Sequence, residues 1–91
     1  MTGRDIRLTL IGKPGCHLCD DARDVITAVR DELAATPDAP TTTLDERSIL
    51  DDEALAARYA EEIPVLLVDG EVHGYWRIDP VRLKTALLSL G

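Results

Sequence analysis

From Ile6 to Ile11 the chain sets Ile6, Leu8, Leu10 and Ile11 among polar residues, a period near two that predicts a half-buried strand thickening toward its end. Gly12 to Gly15 then reads as a turn. Beyond it the period changes. Leu18, Ala22, Val25, Ile26, Val29 and Leu33 recur at steps of three or four, so a helix is expected from at or near Cys16 to a point before Pro37. Its other face carries Asp21, Asp24, Arg30 and Asp31. Thr36 to Pro40 is a short loop, and Thr41 to Leu44, β-branched and then apolar, starts a second strand. Asp51 is expected to cap a short helix carrying Leu55 and Tyr59, with Asp51-Asp52-Glu53 as its acidic start. Pro64 to Val68 reads as a strand, Asp69-Gly70 as a two-residue hairpin turn, and the region around Val72 to Trp76 as the partner strand. Asp79-Pro80 opens a last helix whose expected buried stripe is Leu83, Ala86, Leu87 and Leu90.

The order is therefore β-α-β-α-β-β-α. A β-α-β unit makes its strands parallel with a right-handed crossover, and a tight hairpin makes the other two antiparallel. The expected fold is α/β: a four-stranded mixed sheet flanked by three helices. At 91 residues, without an internal repeat, residues 1–91 are expected to form a single domain with one core.

Composition narrows the possible functions. Seventeen acidic against ten basic residues give a net charge of −7, which repels phosphate backbones and anionic lipid surfaces, so neither nucleic acid nor membrane is an expected partner. Aromatic residues make up 3% of the chain, leaving few platforms on which bases could stack. No stretch approaches the roughly 20 apolar residues that span a bilayer, and no basic start followed by an apolar run marks a signal peptide, so a cytoplasmic protein is expected. Two cysteines three positions apart do not form a secreted disulfide framework; in a reducing compartment such a pair serves redox chemistry or metal binding.

Cys16-His17-Leu18-Cys19 falls where the first strand hands over to the first helix. There Cys16 meets unpaired backbone N–H groups and the positive end of the helix dipole, which favour a thiolate, as do Lys13 and His17; Asp20 and Asp21 oppose it. Cys19 comes one turn later on the same side. Cys16 thus reads as the exposed attacking thiolate and Cys19 as the more buried thiol that closes a disulfide and releases the bound partner. The competing readings are two inert core thiols or half of a metal site. With His17 and His73 the pair would offer four ligands for zinc, yet adjacent Cys16 and His17 point apart on a helix and the chain has no second CxxC and no HxxxH, so no metal is expected. His17 is either a proton shuttle or an exposed helix residue, and His73 reads as a surface residue. Tyr75 and Trp76 could cover the site, although a single Trp in a chain this poor in aromatics reads first as core.

Lys13-Pro14-Gly15-Cys16-x-x-Cys19 resembles the K-P-x-C-P-Y-C start of glutaredoxins, and Glu62-Ile63-Pro64-Val65 resembles their T-V-P segment. The spacing from Cys16 to Pro64 and the element order fit the thioredoxin fold. The chain is similar to a group of small, poorly characterised bacterial glutaredoxin-like proteins, with Asp45, Tyr59, Ile63 to Val65 and Trp76 at the places of that group's acidic stretch, Tyr, I-P-V and Trp. The resemblance implies Cys16 as nucleophile, Cys19 as resolving thiol and Pro64 as a cis-proline facing them. It also implies Lys13 as a binder of a substrate carboxylate and the backbone of Ile63 as an edge on which a substrate chain pairs. Where glutaredoxins carry Gly-Gly-Cys-Asp to hold the glutamyl end of glutathione, this chain has Gly74, Tyr75, Trp76 and Arg77, and His17-Leu18 replaces Pro-Tyr between the cysteines. Tyr75 denies close backbone approach and Arg77 removes the partner of an ammonium group.

The expectation is a thiol-disulfide oxidoreductase of cell redox homeostasis, acting on a protein or small-molecule disulfide with no tightly bound cofactor. It would be recharged by a reductase or a low-molecular-weight thiol, with glutathione in doubt, and would work as a monomer. The alternatives are a non-catalytic binding module on the same fold and a metal or iron-sulfur carrier.

Overall fold

The computed structural model describes residues 5–90; the ends of the expected domain, residues 1–4 and 91, lie outside the described residues. Strands β1 (Asp5–Gly12), β2 (Thr41–Ser48), β3 (Val65–Val68) and β4 (Glu71–Tyr75) form one sheet in the order β2-β1-β3-β4. β1 runs parallel to β2 and antiparallel to β3, and β3 runs antiparallel to β4. Helices α1 (His17–Ala34), α2 (Glu53–Tyr59) and α3 (Pro80–Leu90) complete the expected order.

The alternation in β1 decides what lies on each side of the sheet. Ile6, Leu8 and Leu10 point to one face, where they meet Ala22, Ile26, Val29 and Leu33 of α1, Leu83 and Leu87 of α3, and Leu66 and Val68 of β3. Ile11 points to the other face and packs with Tyr59 and Val65, joined by the half-buried Ile49, Leu55, Ile63 and Leu67. α2 therefore covers that face at the end where β1 gives way to the cysteines. Each fully buried Leu, Ile or Val contributes about 1.5–3 kcal/mol.

Local signals fix most boundaries. Asp79 caps α3 by accepting from the N–H of Val81 at 2.9 Å and of Arg82 at 3.3 Å. Pro80 takes the first helical position, where a missing N–H costs nothing. Asp69 and Gly70 both hold positive φ, 51° and 86°, the geometry of a tight turn matching the strand twist. Asp69 also ties that turn to β1, accepting from the Arg7 N–H at 3.0 Å and donating its own N–H to the Arg7 carbonyl at 2.8 Å.

β2 starts at Thr41 as expected and continues four residues past Leu44 because it pairs with β1 residue for residue from Thr41 to Ser48; the run Asp45-Glu46-Arg47 hides a strand formed by backbone pairing. Four expectations need correction. Asp52, not Asp51, caps α2, its carboxylate accepting from the N–H groups of Ala54 at 2.9 Å and Leu55 at 3.2 Å. The buried stripe of α3 is Leu83 and Leu87, with Ala86 half-buried and Leu90 exposed. β4 spans Glu71–Tyr75, and Trp76 leaves it at φ 59°. Trp76 is not core: it is 55% exposed, and the buried residue of that corner is Ile78.

The cap assignment is directly testable. Asp52→Ala should cost about 1 kcal/mol, and so lower Tm by about 4–8 °C, because it leaves two helix N–H groups without an acceptor. Asp51→Ala should stay within about 0.5 kcal/mol. Thermal unfolding monitored by circular dichroism distinguishes the two positions, and an equal loss at both would refute the assignment.

Candidate functional site

Strand sense brings the site together. β1 and β2 end, β3 begins and β4 ends at the same edge of the sheet, so the segments after Gly12, Ser48 and Tyr75 and the segment before Val65 are neighbours. Ile11 pairs with Val65, which sets Pro64 next in line beside the strand that leads to the cysteines. The Ile63-Pro64 bond is cis, as the family resemblance implies, and Pro64 is fully buried.

Cys16 is the N-cap of α1. Its extended backbone (φ −97°, ψ 113°) turns the sulfur back over the first turn, where Sγ accepts the Cys19 N–H at 3.2 Å. An N-cap normally uses an oxygen for this bond; here a sulfur receives it, at the helix end that favours negative charge. Both cysteines are free thiols, Cys16 partly exposed and Cys19 buried. Burial pushes the Cys19 thiol up to about 11, and its hydrogen bond with Cys16 adds to the rise. The two sulfurs thus differ in exposure, and burial disfavours the charged form of Cys19, although they are one helical turn apart.

Gly12 is the functional residue that sequence reasoning missed. It reads as the start of a turn, but it is the last residue of β1, and a Cβ there would lie 2.7 Å from Cys19 Sγ and 3.2 Å from Cys19 Cβ. The glycine is the seat of the Cys19 thiol. A glycine a few residues before a CxxC is the signal that could have found it, though the contact itself forms through space between strand and helix. Its carbonyl accepts the Ile49 N–H at 2.9 Å, which also ties the segment after β2 to this edge.

Cys19 lines a cavity of about 260 Å³ whose other walls include Lys13, Arg23, Glu46, Arg47 and Asp51. Arg23 is held there by Glu46 at 2.7 Å and Asp20 at 2.8 Å, and the Asp20 charge adds to the rise of the Cys19 pKa. Lys13 and His17 are both exposed, one before and one after Cys16. Gly74 lies half-buried, with space for a Cβ 3.6 Å from Ile78 Cδ1. Tyr75 and Trp76 sit at the cysteine edge with ring centroids 6.3 Å apart. Arg77 lines a small cavity of about 90 Å³ against Leu18 and Asp21 of α1. His73, expected at the surface, is half-buried: it is the extra residue of a bulge in β4, and burial together with the nearby Arg82 lowers its pKa. Among the described residues no three His, Cys, Asp or Glu side chains group as metal ligands, and no helix is long and apolar enough to cross a membrane.

A four-stranded mixed sheet of this order, with a CxxC at the head of α1 and a cis-proline before β3, defines a thioredoxin-like domain. The chain belongs to the glutaredoxin-like domain family (DUF836), whose profile matches residues 7–88. Among solved structures it is similar to protein XcR50 of X. campestris, with 30% identity and a TM-score of 0.69 over 92% of this chain and 99% of that one. A mutant thioredoxin from Halobacterium salinarum shares the fold at 24% identity and a TM-score of 0.59, over 96% of this chain and 75% of that one. Among curated proteins it is 28% identical over 78 residues to the uncharacterized protein Rv0508 of Mycobacterium tuberculosis, covering 86% of this chain and 78% of that one.

The raised pKa of Cys19 sets a pH dependence of stability. Folding favours the neutral thiol, so this contribution is fully present below the ordinary thiol value of 9.0 and is lost as pH rises through about 11. Unfolding midpoints of the wild type should therefore fall more steeply between pH 9 and 11 than those of Cys19→Ala. Parallel slopes in denaturant titrations at each pH would show that Cys19 is not held neutral by the fold.

Proposed function

We propose that the protein is a thiol-disulfide oxidoreductase in which Cys16 is the nucleophile and Cys19 the resolving thiol. The observation that carries this reading is the asymmetry of the pair: a partly exposed sulfur at a helix N-terminus accepting an N–H, beside a buried thiol held protonated. Cys16 as thiolate attacks a disulfide and bonds to one of its sulfurs, and the other leaves as a thiolate. The Cys19 thiol gives up its proton and displaces the bound sulfur, closing the Cys16–Cys19 disulfide, while the released thiolate takes up a proton. The substrate ends reduced and the cysteine pair oxidised.

Lys13 is suited to a substrate carboxylate. Ile63 offers backbone groups to which nothing hydrogen-bonds among the described residues, at the edge where Pro64 precedes β3. A reductase or a low-molecular-weight thiol would return the pair to the dithiol, in a role of cell redox homeostasis in the cytoplasm. No tightly bound cofactor enters this cycle.

Two variants test the roles. Cys16→Ser should abolish exchange with a small disulfide reagent, whereas Cys19→Ser should keep the first attack and accumulate a mixed disulfide visible by mass spectrometry. Equal rates for both variants would overturn the assignment, and a wild-type pair that stays reduced in excess oxidised dithiothreitol would remove the redox reading.

The reductant can be tested separately. Tyr75 and Arg77 stand where glutaredoxins hold the glutamyl group, and losing two hydrogen bonds of about 0.5–1.5 kcal/mol each weakens binding roughly tenfold to a hundredfold. Turnover in a coupled glutathione assay should accordingly be weak, and reduction by a thioredoxin-reductase-like protein at least as effective. Saturation at ordinary glutathione concentrations would show that glutathione is held by other residues.

A further inference from the structure

Four segments meet at the cysteine edge: residues 13–16, 49–52, 60–63 and 75–77. They stand side by side in the order of their strands, so Leu50 lies to one side of Cys16 and Ile63, and Tyr75 and Trp76 lie to the other. Both flanks leave large apolar side chains in water: Leu50 is 71% exposed, Tyr75 39% and Trp76 55%. Three inter-strand spacings make this row about 14 Å wide, the length of roughly four residues of extended chain.

Trp76 does more than line the row. Its backbone N–H donates to the Pro64 carbonyl at 2.8 Å, and its indole Nε1–H donates to the Glu61 carbonyl at 3.4 Å. One residue thus fastens the chain on both sides of Ile63, whose own backbone groups are left unpaired among the described residues. A backbone donor and acceptor held in place without partners, on a half-buried residue, are the groups an incoming extended chain can satisfy. Charge adds a preference: Asp51, Asp52, Glu61 and Glu62 in these segments outnumber Lys13 and Arg77.

We infer that the row from Leu50 to Trp76 docks an extended protein segment whose disulfide-bonded cysteine is flanked by apolar and basic residues, with Trp76 as the specificity-determining residue. This rests on the oxidoreductase reading and names its substrate class. A small thiol would engage the sulfurs but not both flanks. A peptide lying across them covers Leu50 and Trp76 together, and a buried Trp is the side chain most often found to dominate such contacts.

The test uses single turnover of the pre-reduced protein with three probes, each a mixed disulfide with thionitrobenzoate: free cysteine, a peptide with Lys and Leu on both sides of its cysteine, and a peptide with Glu and Ser there. Cys16 bonds to the probe's cysteine sulfur and coloured thionitrobenzoate leaves; Cys19 then frees the peptide thiol. The Lys/Leu peptide should react at least about tenfold faster than the Glu/Ser peptide, the ratio expected when one aromatic anchor and a few charges discriminate. Added salt should reduce the ratio. Trp76→Ala should bring it to within about twofold, and Leu50→Ser, at an exposed position where folding is not at stake, should reduce it about threefold. Equal rates for the two peptides overturn the docking inference while leaving the redox chemistry standing. A ratio unmoved by either substitution places the preference elsewhere and also overturns it. Absence of thionitrobenzoate release from all three probes removes the oxidoreductase reading itself.

Discussion

From Leu8 to Ile11 strand β1 is paired along both edges and covered on both faces, and the positions of the other elements depend on it. Its parallel partner β2 and antiparallel partner β3 leave few of its backbone groups to water. Ile6, Leu8, Leu10 and Ile11 are all at or below 2% exposure, so each of its faces fixes a separate cluster. A strand held on four sides ends at a defined point. That point is Gly12, where the chain begins its turn into Cys16.

The sulfurs inherit their difference from this arrangement. Cys16 stands outside the helix as its cap and keeps partial access to solvent; Cys19 is inside the helix and presses against the strand where only a glycine leaves space. The same contact that seats Cys19 removes it from water and raises its pKa. On the neighbouring side, Arg23 holds Asp20 and Glu46, which keeps two carboxylates engaged at the wall of the cavity beside Cys19. The contrast between one accessible and one buried thiol, on which the proposed chemistry depends, is thus a result of packing at the end of one strand.

The features legible in the sequence are those decided locally. The hairpin at Asp69-Gly70 and the cap and proline at Asp79-Pro80 are short-range devices and appear as short-range patterns. The apolar stripe of α1 from Ala22 to Leu33 is equally plain because one face of one helix meets one sheet. Reading stopped short or failed where long-range contact decides. β2 continues beyond its legible start at Thr41 to Leu44 through pairing with β1, despite Asp45, Glu46 and Arg47. Asp52 rather than its neighbour caps α2 because of where the chain enters that helix. Trp76 is in solvent because a positive φ after β4 turns it out of the sheet, leaving Ile78 to enter the core. Gly12 meets Cys19 seven positions on, and no periodicity encodes that distance. Pro64 was placed by resemblance to glutaredoxins, since composition and spacing alone favour a trans bond.

The sheet also gives the molecule a front and a back. The Asp69–Gly70 turn, the loop from residue 35 to 40 and the first residues of β1 all lie at the edge opposite the cysteines, one strand of eight residues and about 26 Å away. None of them contributes a side chain to the site. The rear loops can lengthen, take up an insertion or be gripped by another protein without crossing the path to Cys16. The domain can therefore be tethered from behind and still present Cys16 outward, like a tool held by its handle.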